Sequence, residues 1–157
     1  MQYSSVNRLG DFEFHDAELT LLSWENDRLT VSAKYLNVHK NAAPGNEGTD
    51  MEISEAIITF YGFDLKEFEP ARTWKEDKHG NVYTNDPLII HTGAVAKSML
   101  MAELQHTAVV MHMTYVNGIY DLGALGIDPY FSARFTFSDV KIEWDSYRKK
   151  AWYERKR

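Results

Sequence analysis

Hydrophobic and polar residues alternate along residues 12–38, a pattern typical of β-strands that bury one face. The pair Asn26-Asp27 interrupts the alternation and favours a two-residue turn between two strands. If this pair forms the loop, Leu22 faces Val31 across the hairpin. The prediction is a hairpin with one apolar face, made of Leu22, Trp24, Leu29, Val31, Ala33 and Tyr35.

The segment 37–50 is rich in Asn, Gly and Pro and poor in bulky apolar residues, which predicts a long surface loop. Loops of this length inside a compact domain often border a binding site. Apolar residues return along 51–61, and we predict a third strand there. After it, the pattern indicates one helical turn at 65–68 and a turn at 75–81.

Residues 93–105 are strong helix formers, with Val95, Met99 and Ala102 at helical spacing and Thr92 as a plausible cap. The segment is predicted to be a helix. A strand remains an alternative, because the stretch lies between two extended segments.

The C-terminal half alternates again. Residues 108–116 end at Asn117-Gly118, the strongest short hairpin signal in the chain, and further strands are predicted over 130–137 and 139–144. The whole pattern predicts a single α+β domain over residues 1–157, mainly antiparallel β-sheet. We expect six or seven strands, as a meander or partly open barrel, with one or two helices.

Composition narrows the class of protein. The chain has 157 residues, is 44% hydrophobic and contains no Cys, which is ordinary for one globular domain without disulfides. No apolar run approaches the roughly 20 residues of a membrane-spanning helix. The first residues also lack the pattern of a signal peptide. We therefore expect a cytoplasmic protein that does not bind membranes.

Charge is distributed unevenly. The net charge is -6, but residues 1–145 carry -11 and the tail 146–157 carries +5. An acidic body disfavours nucleic acid as a partner. The tail mixes cations with Tyr147, Trp152 and Tyr153, a composition that can grip single-stranded nucleic acid. The alternative is a short C-terminal helix or arm that packs on the acidic body.

The residues with chemical potential form no familiar catalytic or metal motif. The six His have none of the usual ligand spacings, so no metal site and no cofactor are predicted. His15 and Asp16 are neighbours in a predicted strand, where side chains point to opposite faces unless a bulge intervenes. No nucleophile motif is present, and no catalytic residue is assigned.

A binding site is predicted beside the long loop. In the predicted hairpin register His15 pairs with Val38 and His39 pairs with Phe14, which separates the two imidazoles. The same register places four side chains on one face: Phe14, Asp16, Asn37 and His39.

The string Phe14-His15-Asp16-Ala17-Glu18-Leu19, followed by strand, turn and strand, resembles small bacterial domains that begin Phe-His-Asp-Ala/Ser and continue as a β-meander. Some of those domains are similar to immunity proteins that neutralise polymorphic toxins. The resemblance covers residues 14–38 and carries over no site residue. It implies a cytoplasmic binding protein, which the acidic body also allows.

Three functions stay open. The first is a non-enzymatic protein-binding module, immunity-like in its sharpest form, with contacts from acidic residues: Glu47, Asp50, Glu52 and Glu55. The second is a β-barrel-like protein that binds a small apolar or aromatic ligand, suggested by the aromatic residues and by Met99, Met101, Met111 and Met113. The third is a hydrolase that uses His39 or His112. Exposed strand edges would also allow a homodimer.

Overall fold

The structure is a computed structural model that describes residues 1–42 and 48–156. These residues form an α+β fold dominated by antiparallel sheet, with one α-helix of several turns among them, as the sequence predicts. The described residues contain fifteen short strands rather than six or seven. Three predicted strands divide between two sheets, and five strands form where none is predicted: Tyr3–Val6, Asp64–Glu69, Lys75–Glu76, Val82–Tyr83 and Tyr147–Lys150.

Among the described residues, the large sheet contains nine strands. In their lateral order they are β1 (Tyr3–Val6), β14 (Asp139–Trp144), β7 (Ala56–Tyr61), β4 (Arg28–Lys34), β3 (Glu18–Glu25), β11 (Ala108–Val116), β12 (Ile119–Leu125), β13 (Phe131–Thr136) and β8 (Asp64–Glu69). Every neighbouring pair is antiparallel. No pairing among the described residues joins β1 to β8, so the sheet does not close into a barrel.

A second sheet has four short strands, in the order β15 (Tyr147–Lys150), β6 (Met51–Ile53), β5 (Asn37–Val38) and β2 (Phe12–Glu13). The basic C-terminal tail supplies its first strand and continues as a 3-10 helix, Trp152–Lys156. In a separate hairpin, β9 (Lys75–Glu76) pairs with β10 (Val82–Tyr83), and the chain reverses within the turn predicted at 75–81.

The helix α1 (Gly93–His106) follows Thr92, as predicted. It buries Leu100 and Leu104, which lie against the large sheet beside Leu19 and Phe60. The two sheets share one hydrophobic core. Phe12 of the small sheet packs edge-on against the fully buried Trp144 of the large sheet, with ring centroids 5.8 Å apart.

The first hairpin forms at the predicted Asn26-Asp27 turn, but its register is only partly as predicted. The pairing shifts between Leu21 and Ser23, so that Leu21 faces Val31 and Leu22 is 53% exposed. An extra residue in one strand moves the preceding side chains to the other face. The predicted Leu22–Val31 pair is therefore wrong, and Tyr35 is also exposed rather than on the buried face.

Two other local predictions are corrected. Residues 65–68 lie in β8 rather than in a helical turn, because this segment pairs with β13. The third strand predicted over 51–61 is two strands, β6 in the small sheet and β7 in the large one. The loop predicted over 37–50 begins with β5, and residues 43–47 lie outside the described residues.

Candidate functional site: a cleft beside an open strand edge

A cleft of about 550 Å³ separates the edge of the small sheet from the hairpin β11–β12. We call it the edge cleft. Most of its lining is apolar or aromatic, with one carboxylate and two imidazoles. Its lining residues are Leu9, Gly10, Phe12, Glu13, Phe14, His15, Met111, His112, Met113, Tyr115 and Tyr120.

The edge cleft exists because β3 and β11 are offset and overlap by only two residue pairs. The pairing between the two strands covers only Ala108 and Val109 of β11. Asp16 then adopts a left-handed backbone with φ 71°, and its N–H donates to the Val110 carbonyl (2.9 Å). The chain before this turn belongs to the small sheet, so among the described residues the rest of β11 pairs with β12 on one side and with no strand on the other.

Backbone groups of β11 face the cleft at alternate residues. The two-residue loop Asn117-Gly118 makes Val116 and Ile119 a hydrogen-bonded pair, and such pairs alternate along an antiparallel ladder. Thr114 and His112 therefore bond to β12. The N–H and C=O groups of Met113 and Tyr115 point the other way, towards the open side of the strand.

His15 is fixed at the rim of the edge cleft. Its Nδ1 lies 2.7 Å from the Met111 carbonyl oxygen, which only accepts, so Nδ1 carries the proton. Nε2 lies 3.6 Å from Oδ1 of Asp16. The expectation that these neighbours cannot approach is wrong, because the left-handed turn at Asp16 replaces the extended strand.

His112 approaches the cleft from β11. Its Nδ1 lies 3.1 Å from the Tyr130 hydroxyl, and both side chains cover Gly123 of the neighbouring strand. A Cβ at Gly123 would lie 2.1 Å from Cε1 of His112 and 2.2 Å from the Tyr130 oxygen. A side chain at position 123 would therefore displace the His112 imidazole and the Tyr130 hydroxyl.

A second, more polar pocket of about 350 Å³ lies beside β5. The His39 Nδ1–H donates to Oδ2 of Asp50 (2.9 Å), and the Tyr153 hydroxyl donates to the same oxygen (2.7 Å). The Lys40 amide donates to Oδ1 (2.9 Å). An imidazole held by a carboxylate is the arrangement expected of a general base. None of the described residues that line this pocket is Ser, Thr or Tyr.

The protonation of Asp50 reflects these contacts. Burial raises the pKa of this carboxyl, but the hydrogen bonds from His39, Tyr153 and the Lys40 amide outweigh it, so the pKa of Asp50 lies below its usual range. Burial also raises the pKa of the Tyr153 hydroxyl, helped by its bond to the Asp50 carboxylate. The hydrogen bond from Tyr153 to the Asp50 carboxylate therefore links the C-terminal tail to the small sheet.

The four predicted binding residues do not share one site. Glu13 pairs with Asn37, and Phe12 with Val38, so the predicted pairs of His15 with Val38 and of His39 with Phe14 are wrong. Phe14 is buried and lines the edge cleft, and Asp16 forms its turn. His39 lines the second pocket.

Asn37 is 1% exposed, and neither its amide nitrogen nor its amide oxygen has a hydrogen-bond partner among the described residues. Of the four predicted acidic contacts, Asp50 and Glu52 are buried, Glu55 is exposed, and Glu47 lies outside the described residues.

The sequence contained some signal for the edge cleft. Met111 and Met113 were among the Met residues that suggested a ligand, and the Asn117-Gly118 turn fixed the hairpin that carries them. Leu9, Phe12, Tyr115 and Tyr120 were not identified. They line the site only because the two sheets pack together, and no local sequence pattern predicts that packing.

Comparisons with known proteins add no relatives. No protein-family model matches the chain, and neither curated proteins nor solved structures give a match. The described residues contain no group of three or more His, Asp or Glu side chains placed to hold a metal ion. They also contain no helix with the length and apolar character needed to span a membrane.

Proposed function

We propose that this protein is a cytoplasmic, bacterial protein-binding module that acts by binding and not by catalysis. In its sharpest form it is an immunity-like protein that neutralises a toxin by covering it. The resemblance of residues 14–38 to such domains supports the proposal. The observation that carries it is the apolar surface formed by the edge cleft and the adjoining hairpin tip.

The hairpin tip carries exposed apolar side chains on both of its faces: Tyr115 lines the edge cleft, and Val116 and Ile119 lie on the other face. Tyr115 is 61% exposed and Val116 is 62% exposed, and Ile119 lies directly opposite Val116. Tyr115 also packs against Tyr120, with ring centroids 4.6 Å apart and the rings tilted by 44°. Grouped exposed apolar residues beside a concave surface are typical of protein-binding sites, and Tyr is common at their centres. We call the edge cleft and this tip together the cleft surface.

Charge favours a basic partner. Residues 1–145 carry -11, and Glu13 places a carboxylate in the lining of the edge cleft. Opposite net charges accelerate association and make its rate depend on salt. We therefore expect the association rate to fall as the salt concentration rises.

A small apolar or aromatic ligand is the second candidate. The cleft volume of about 550 Å³ lies within the roughly 300–1,000 Å³ typical of ligand pockets. Methyl NMR signals of Met111 and Met113 would report such a ligand directly. Saturable shifts of both signals with an aromatic compound, in a protein that binds no polypeptide, would favour this candidate over the first.

The test uses two valines of matched exposure. The full chain is produced with the proteins encoded beside it in its native genome, and binding is measured by calorimetry. Val116→Glu places a charge on the cleft surface, and Val82→Glu places the same charge on the separate hairpin β9–β10, where Val82 is 66% exposed. We expect Val116→Glu to weaken binding at least about tenfold, the equivalent of about 1.4 kcal/mol.

Val82→Glu should leave the affinity unchanged within about twofold, because this surface substitution lies outside the proposed interface. Equal weakening by both variants would contradict the cleft surface as the binding site. A wild-type chain that binds no protein of its native host would contradict the protein-binding function itself.

A further inference from the structure

We infer that the partner binds by adding an extended segment, as a new β-strand, to the open edge of β11. The inference rests on the proposed protein-binding function and specifies how the cleft surface is used. Strand addition is a recurrent way in which proteins recognise extended peptides. Three features of β11 support it here: unpaired backbone groups, an unprotected edge and an apolar wall opposite.

The backbone groups have the spacing of a strand template. Met113 and Tyr115 each present one N–H and one C=O to the open side, so an added strand gains up to four hydrogen bonds. Residues two apart in a strand are separated by about 6.8 Å, which matches the repeat of an added antiparallel strand. The adjoining Met111 carbonyl already accepts from His15, so the template ends there.

The edge lacks the usual protection against pairing. Natural sheets block such edges with Lys, Pro or a covering segment. Residues 111–116 contain neither Lys nor Pro, and no described strand covers them after the pairing with β3 ends at Val109. Thr114 and Val116 add β-branched side chains that favour extended backbone.

The walls of the edge cleft define the chemistry of the added segment. Opposite the strand edge lie Leu9, Phe12 and Phe14, which suit an apolar side chain. Glu13 is the one carboxylate among the described lining residues, and its Oε1 accepts the His15 amide (3.0 Å). The segment is therefore extended, has an apolar or aromatic residue facing the wall, and carries a Lys or Arg near it.

A paired Tyr115 series tests the backbone contribution. Tyr115→Pro removes the N–H that faces the open edge, at a position where proline is tolerated in an edge strand. Tyr115→Val removes the same ring but keeps the N–H. Both variants are checked for folding by denaturant unfolding. Peptides of about ten residues, selected from a displayed library against the wild-type chain, serve as probes together with the native partner.

We expect Tyr115→Pro to bind these probes at least about tenfold more weakly than Tyr115→Val. N-methylation along a selected peptide gives a test that does not depend on the folding of a variant. Affinity should fall at every second residue, because alternate amides of an added strand face β11.

Equal affinities of the two Tyr115 variants, a methylation profile without a period of two, or a library without binders would each overturn strand addition. A native partner that is weakened by Val116→Glu but not by Tyr115→Pro would leave the proposed function standing while overturning this mode. A wild-type dimer that Tyr115→Pro dissociates would make a second copy the occupant, and would overturn the assignment to a partner protein.

Discussion

Asp50 lines the second pocket and also binds Tyr153 of the C-terminal tail. Its carboxylate accepts hydrogen bonds from His39, Tyr153 and the Lys40 amide, and its pKa lies below the usual range although burial alone would raise it. A carboxyl whose pKa is lower in the folded state than in the unfolded chain stabilises the fold once it is ionised. Its contribution therefore depends on pH.

We predict that Asp50→Asn lowers the free energy of unfolding near neutral pH and loses its effect in acid. The contribution of Asp50 is fully present above its unfolded pKa, near 4, and disappears as the pH falls through the lower folded value. Urea unfolding curves from pH 7 to pH 2 measure the difference from wild type. A constant difference across this range would contradict the assignment, and the exposed Glu55→Gln is the control.

Single residues also show where sequence analysis fails at this scale. The positive φ of Asp16 lets its carboxylate approach the neighbouring His15, which a regular strand forbids. Leu22 is exposed because one extra residue interrupts the pairing of β3 with β4. Both features depend on pairing with the adjoining strands. The residue types at these two positions do not predict them.

At the scale of elements, Glu103 joins the helix to the sheet. This buried side chain of α1 accepts the amides of Ile127 (2.8 Å, Oε2) and Asp128 (3.1 Å, Oε1) in the bend after β12. A Cβ at Gly126 would collide with Oε2 of Glu103, so a side chain there would displace this carboxylate. The contact holds the hairpin β11–β12, and with it one wall of the edge cleft.

We predict a graded loss of stability at Glu103. Glu103→Gln keeps one acceptor oxygen and Glu103→Leu keeps none, and a hydrogen bond to a charged group contributes about 1.5–3 kcal/mol. The free energy of unfolding should fall in the order wild type, Gln, Leu, with Gln105→Leu on the exposed side of the same helix as the control. Equal stabilities for wild type and Glu103→Leu would contradict this anchoring role.

Elements with strong local signals were predicted correctly, and those defined by distant partners were not. The helix over 93–106 and the hairpin at Asn117-Gly118 follow from helix formers and turn chemistry within the segment itself. Leu65 and Phe68 have helical spacing, yet the segment is strand β8 because it pairs with β13 some 70 residues away. In this segment, pairing with the distant strand β13 overrides the local helix propensity.

At the scale of the whole molecule, the edge cleft arises from the meeting of two sheets. Its walls come from residues 9–15 and 111–120, which are about 100 positions apart in the chain. The sequence indicated the α+β class and a site near Phe14, but it placed that site on the face of Asn37 and His39. The observed β2–β5 register differs from the predicted one, and the Asn37 and His39 side chains therefore lie outside the edge cleft.

If the open edge of β11 is the binding element, amide hydrogen exchange will detect the partner's strand on it. In the free protein the Met113 and Tyr115 amides face the open cleft, whereas the His112 and Thr114 amides bond to β12 and serve as internal references. On saturation with the partner protein, exchange at Met113 and Tyr115 should slow at least about tenfold, while the two reference amides change little. Unchanged exchange at Met113 and Tyr115 in the saturated complex would contradict binding at the open edge of β11.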